Sequence, residues 1–176
     1  MKRILVLVSV LALSLVASGT LLAQENPFVG TWKLNVAKSK FAGSQPPKSE
    51  TRSEVAKGSG ETVTYEGIAA DGSPISYSYT TNLDGKDAPI SGTHPFGSDT
   101  LAVTRVDANT RTVVEKKTGK TLFTARGTVS KDGKTLTQTF KGVNGEGQPI
   151  NVTTVWDKQP NVIVDPPFWK THPNNP

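Results

Sequence analysis

The 176-residue chain contains two histidines, His94 and His172, and no cysteine, so the side chains that most often carry catalysis or hold metals are scarce. An imidazole titrates near neutrality and can act as a base or a pH sensor, but a metal site needs several clustered ligands. His94 stands between Thr93 and Pro95 in a predicted loop and reads as a surface residue; His172 lies in a proline-rich tail. The absence of cysteine excludes thiol catalysis, redox exchange, thiolate zinc sites and lipid attachment through a cysteine. No Gly-x-Ser-x-Gly elbow is present to expose a nucleophilic serine. Gly119-Lys120-Thr121 and Gly133-Lys134-Thr135 look like the end of a phosphate-binding loop. However, Val114 and Thr128 occupy the positions where its first glycine is required. Asp71, Asp84, Asp107 and Asp132 stand among turn residues, where their carboxylates cap backbone N–H groups, and not as the facing pair that glycoside chemistry needs. No catalytic residue, metal ligand or cofactor is expected.

The elements that position the remaining residues are strands. Phe28 to Val36 alternates as a first strand, with Trp32 and Leu34 on one face. Ala37 to Phe41 suits one helical turn, and Gly43 to Lys48 is a loop rich in Gly, Ser and Pro. From Thr51 onward, short runs rich in Thr, Val, Tyr and Ile are separated by turn dipeptides, the pattern of consecutive antiparallel strands. Glu61 to Ala69 and Pro74 to Thr81 form a hairpin around Asp71-Gly72. A short strand ends at Ile90, and Gly92 to Ser98 is a loop. Strands follow at about Thr100 to Val106, Thr110 to Lys117, Lys120 to Ser130, Lys134 to Val143 and Pro149 to Lys158, joined mostly by tight turns. An open sheet of nine or ten strands would leave edges unpaired and one face uncovered. Short connections favour an all-β, antiparallel up-and-down β-barrel over a two-sheet sandwich.

The ends set the organisation. Lys2 and Arg3, an apolar run from Ile4 to Ala17 and the small residues Ser18, Gly19 and Thr20 have the order of a secretory signal, with cleavage after Ala23. The run is too short to span a bilayer, so no mature membrane span is expected. Residues 1–23 are read as a signal peptide, 24–159 as the barrel domain and 160–176 as an extended tail with five prolines, whose Phe168 and Trp169 could tack it to the barrel wall. A secreted or periplasmic location follows. The formal charge of +5 includes Lys2 and Arg3; without them 18 basic residues face 15 acidic ones, and they are scattered along strands and turns. That argues against a nucleic-acid partner.

The stretch Asn26-Pro27-Phe28-Val29-Gly30-Thr31-Trp32-Lys33-Leu34 resembles the Gly-x-Trp opening of lipocalins and the Gly-Thr-Trp opening of fatty-acid-binding proteins. In those families the tryptophan packs across one end of the barrel. Asp84-Gly85-Lys86-Asp87, Val103 to Thr110 and Val129 to Thr137 resemble a family of exported bacterial lipocalin-like proteins of mostly unassigned function. The resemblance spans nearly all of the mature chain; it implies a calycin-type barrel outside the cytoplasm and supplies no reaction or substrate. Fatty-acid-binding proteins end their last strand with an Arg-x-Tyr pair that holds a ligand carboxylate, and here Thr154 and Trp156 stand in those places. A buried carboxylate without a cation is costly. Arg126 is expected to face outward, opposite Phe123, Ala125 and Val129, whereas Arg105 shares a face with Leu101 and Val103 and is the better inward candidate.

The interior faces then carry Trp32 with Leu34, Val63 with Tyr65, Ile75 with Tyr77 and Tyr79, Leu136 with Phe140, and Ile150 with Val152 and Trp156, interrupted by Gln138 and Thr154. A mixed lining of this kind suits a cavity with a few orienting hydrogen bonds. The expected function is non-enzymatic binding of a small apolar or amphipathic molecule through Trp32, Tyr77, Tyr79, Arg105, Gln138, Phe140, Thr154 and Trp156. A filled barrel serving as a structural or interaction module at the cell envelope is the second reading, and an enzyme using His94 at the barrel mouth is the third.

Overall fold

The computed structural model describes residues 26–143 and 146–160. The expected signal peptide and nearly all of the proline-rich tail, including Phe168, Trp169 and His172, lie outside these residues. The described chain contains one 3-10 turn, Val36–Lys38, and twelve strands. These are β1 (Gly30–Leu34), β2 (Lys40–Ala42), β3 (Ser49–Lys57), β4 (Gly60–Ile68), β5 (Pro74–Thr81) and β6 (Asp84–Pro89), followed by β7 (Ser91–Thr93), β8 (Thr100–Arg105), β9 (Thr110–Lys117), β10 (Lys120–Val129), β11 (Thr135–Val143) and β12 (Pro149–Lys158). No described helix is long and apolar enough to cross a membrane.

The strands pair antiparallel in the order β6-β8-β9-β10-β11-β12-β1-β3-β4-β5-β7, with β2 added beside β12. The first strand thus lies against the last, with Trp32 opposite Lys158 and Leu34 opposite Trp156. Closure is made by one stretch of chain that changes partner. β6 pairs with β8 and β7 pairs with β5, and only Ile90 separates β6 from β7. The result is an all-β, nearly closed barrel in which the two edges of the sheet are tied together by consecutive residues, leaving little free edge.

The strand count corrects the expectation of nine or ten: twelve strands form, eleven of them in the barrel order. The additional strands are too short and too polar to carry a period. Lys40–Ala42 falls partly where a helical turn was expected, and Ser91–Thr93 falls partly within the expected loop. Elsewhere period-2 alternation determines the inward face. On β5, Ile75, Tyr77, Tyr79 and Thr81 are buried; on β12, Ile150, Val152, Thr154 and Trp156; on β10, Phe123, Ala125, Gly127 and Val129. One end of the barrel is closed by the segment entering β1. Phe28 and Trp32 are fully buried there, and the Trp32 indole N–H donates to the Phe28 carbonyl at 2.8 Å.

Candidate functional site

At the closed end, beside Phe28, the interior holds charges. On β3 the period that buries Arg52 also buries Glu54; on β4 it buries Glu61, and on β9 Arg111. Arg111 Nη1 donates to Glu54 Oε1 at 2.6 Å and also to Glu61, while Arg52 pairs with Glu54 through its Nη2. Asn26 completes the group, accepting from Arg111 Nη2 at 3.1 Å and donating to Glu61 at 3.3 Å. The Arg111 guanidinium lies over the Phe28 ring, 3.7 Å from its centroid. Burial would raise the Glu54 carboxyl, but the field of Arg52 and the bonds from Arg111 outweigh it and hold Glu54 below the usual carboxylate range. Glu61 is pushed up to about 8, first by burial and then by the neighbouring Glu54. Two buried cations thus share the Glu54 carboxylate and the raised Glu61 carboxyl under the barrel lumen.

Above this floor a cavity of about 560 Å³ opens toward the loops that carry Ser44, Ala70 and Pro95. Its volume lies in the range typical of small-molecule sites. One wall is an aromatic row. Tyr65 and Tyr77, paired across β4 and β5, stack 4.5 Å apart at 7°. Trp156 meets the Tyr65 ring edge-on at 5.9 Å, and His94 meets Tyr77 at 4.6 Å and 73°. Phe96 and Phe140 also line the cavity, and each meets the buried Phe123 ring edge-on, at 5.4 and 5.9 Å.

The lining carries four acids, Glu50, Asp71, Glu115 and Glu146. Glu115 on β9 is buried, and its Oε2 lies 3.2 Å from His94 Nε2. The Phe96 N–H donates to His94 Nδ1 at 3.3 Å, which places the imidazole proton of the neutral ring on Nε2, facing Glu115. Burial lowers His94 to about 4 and raises Glu115 to about 8. Glu50 is raised to about 7, burial outweighing the field of Arg52. Asp71 and Glu146 stand at the rim, and neither lysine nor arginine is among the cavity-lining residues. Among the described residues no group of three or more His, Cys, Asp or Glu side chains is placed to hold a metal ion.

Six of the eight residues expected at the site reach the cavity wall: Tyr77, Tyr79, Gln138, Phe140, Thr154 and Trp156. Thr154 is satisfied from within its own strand, since its Oγ1 accepts from the Trp156 indole N–H at 2.9 Å, whereas Gln138 Oε1 is buried without a partner. Two residues are placed elsewhere. Trp32 packs in the core against the entering segment and does not line the cavity, in keeping with the end-packing role that the resemblance implied. Arg105 is exposed, because β8 leaves the barrel interior after Val103 and Arg105 falls at the strand end, opposite Arg111 across the ladder. His94 also departs from expectation: it is buried and lines the cavity, drawn in by Tyr77 and Glu115. The residues missed by sequence reasoning are Arg52, Glu54, Glu61, Arg111 and Glu115. Their signal was a period of two, Glu50, Arg52, Glu54 and Arg111, Val113, Glu115, carried by charged rather than apolar residues.

The chain matches no protein-family model and no curated protein. Among solved structures it is similar to the zebrafish ileal bile acid-binding protein complexed with cholic acid. The TM-score is 0.44 at 12% identity, with 76% of this chain and 99% of that one covered. A redesigned β-barrel bound to DFHBI gives a TM-score of 0.39 at 13% identity, covering 75% of this chain and 95% of that one. Lobster apocrustacyanin A1 gives 0.42 at 14% identity, covering 78% of this chain and 64% of that one. The barrel itself is established by the strand pairing described above, which joins eleven strands in one antiparallel order.

Proposed function

We propose that this chain is an exported binding protein that holds one small amphipathic molecule inside its barrel, without transforming it. The observation that carries the reading is the cavity of about 560 Å³, walled by Tyr65, Tyr77, Tyr79 and Trp156. Burying a ligand's apolar surface against such a wall contributes about 25 cal/mol per Å², enough for micromolar affinity in a site of this size. The preformed aromatic row limits the ordering that binding would require. Export is supported by the charged, apolar and small-residue segments of residues 1–23. The resemblance to exported bacterial lipocalin-like proteins points the same way.

The binding reading is tested with an uncharged dye. Nile red should gain fluorescence on one-to-one binding, and Val113→Trp, which fills the cavity from β9, should abolish the gain while the circular dichroism spectrum is retained. A dye signal unaffected by Val113→Trp would place binding elsewhere, and no signal in either protein would remove the reading. Export is tested separately, by expressing the full chain with a periplasmic fraction collected and sequencing the N-terminus. A start at Gln24 is expected.

A further inference from the structure

The charge of the cavity lining selects the ligand. The lining acids lie at several depths, Glu115 within the barrel, Glu50 higher on β3, and Asp71 and Glu146 at the rim. Glu115 is 5% exposed and belongs to the cavity lining, with its Oε2 3.2 Å from His94 Nε2. Glu50 and Glu115 line the same cavity as the stacked pair Tyr65 and Tyr77. The arginines near the lumen lie outside the cavity lining. Arg52 Nη2 is held by Glu54, with its Nε and Nη1 unbonded, and Arg111 is held by Glu54 and Glu61. Lys117 belongs to a recess outside the mouth, with Gly43, Gly97 and Glu146. A buried carboxyl whose nearest nitrogen donor is a neutral imidazole gains from a ligand that supplies a charged donor. A ligand carboxylate would meet Asp71 and Glu146 at the rim and find neither lysine nor arginine in the lining beyond them.

We infer that the molecule held in this cavity is an organic cation with an apolar body, its ammonium group directed at Glu115 and Glu50 and its body laid against the aromatic wall. This rests on the binding reading and deepens it. The site would then be the inverse of a fatty-acid site: where those barrels oppose a ligand carboxylate with arginine, this one opposes a ligand ammonium with glutamate.

Three ligands with the same tail test it: decylamine, decanol and decanoate, titrated calorimetrically at pH 7.5 into the mature protein, each below its micelle-forming concentration. Decylamine should bind at least about tenfold more tightly than decanoate, a preference that one charge-assisted hydrogen bond can supply. Glu115→Gln, which keeps the shape and removes the charge, should erase most of that preference, bringing decylamine toward the affinity of decanol. Equal affinities for amine and carboxylate, or stronger binding of decanoate through Arg52, would overturn the inference while leaving Nile red binding intact. An unchanged amine preference in Glu115→Gln overturns the assignment of the ammonium to that residue. Should none of the three bind, the inference falls, and the dye result decides whether the binding reading falls with it.

Discussion

The Arg111 guanidinium lies 3.7 Å from the centroid of the Phe28 ring, so the residue that closes the barrel end also shields the buried charges beneath the lumen. Arg111 bridges Glu54 and Glu61 from this position, and removing it leaves two buried carboxyls short of their main partner. Arg111→Met should destabilise the protein by about 3–5 kcal/mol, the range for breaking a buried ion network on one side. Urea denaturation at pH 7 measures this. A loss within about 0.5 kcal/mol would show that the network contributes little beyond packing.

Stability should fall as pH rises through neutrality. Glu50, Glu61 and Glu115 have an ordinary value near 4.5 and are raised in the fold to about 7, 8 and 8. Between those limits the folded state keeps protons that the unfolded chain has released. Their contribution is therefore full below about pH 4.5 and is lost as pH climbs through 7 to 8. His94 acts on the other side. Burial lowers it from 6.5 to about 4, so its contribution is present above 6.5 and is lost as pH falls toward 4. The melting temperature should decline between pH 6.5 and 8.5, and Glu115→Gln should make that decline shallower. A flat or rising melting temperature over this window would show that the interior carboxyls ionise normally.

Cation binding should release protons. A carboxyl raised to about 8 at Glu115 and one raised to about 7 at Glu50 are partly or wholly neutral at pH 7, and an arriving ammonium favours their charged forms. The apparent heat of decylamine binding at pH 7 should therefore differ between phosphate and Tris buffers, whose ionisation heats differ. In Glu115→Gln the difference should shrink. Identical heats in both buffers would count against proton release.

The β9–β10 hairpin contains a removable strain. Its two-residue loop places Thr118 at φ 48° and Gly119 at φ 77°, the left-handed pair of a type I′ turn. Gly119 adopts this freely, but the β-branched Thr118 does not. Thr118→Asn should raise stability by about 0.5–1 kcal/mol, since asparagine tolerates the conformation. Thermal unfolding would show it. An unchanged or lower melting temperature would mean that the Thr118 hydroxyl, which donates to the Lys117 carbonyl at 2.8 Å, compensates for the strain.

Gly92 guards the closure. It lies in β7 at φ 95°, and a Cβ there would stand 2.2 Å from the Ser76 carbonyl oxygen of β5. Neither strain can relax without separating β7 from β5, so Gly92→Ala should cost about 2–3 kcal/mol. Hydrogen exchange should show faster exchange at Ser76 and Ser78 than on the β10–β11 ladder. Uniform protection of these sites in the variant would show that closure survives the substitution.

Much of the barrel was legible because most strands announce themselves twice, through alternation and through the turns that end them. Pro74–Thr81, Thr110–Lys117 and Pro149–Lys158 have the bounds read from sequence. The strand Ser49–Lys57 was harder, since its inward residues are Arg52 and Glu54, and a period of charges looks like a solvated face until the partners on β4 and β9 are known. Arg105 failed for the complementary reason: apolar neighbours on its face could not reveal that β8 ends there. His94 was read as exposed because its chain neighbours form a turn, and it is the Tyr77 ring, distant in sequence, that covers it.

The pairing of β1 with β12 also constrains how the molecule comes into being. Asn35 and Asp157, 122 residues apart, hydrogen-bond at 2.7 Å beside that ladder. On a ribosome adding about 5–20 residues per second, the outer edge of β1 waits roughly 6–25 s for its partner. Topology of such high contact order folds slowly, and the final strand is the one that completes the wall. Until it arrives, β1 and β11 each lack the neighbour that β12 supplies, and the sheet has no path from one to the other.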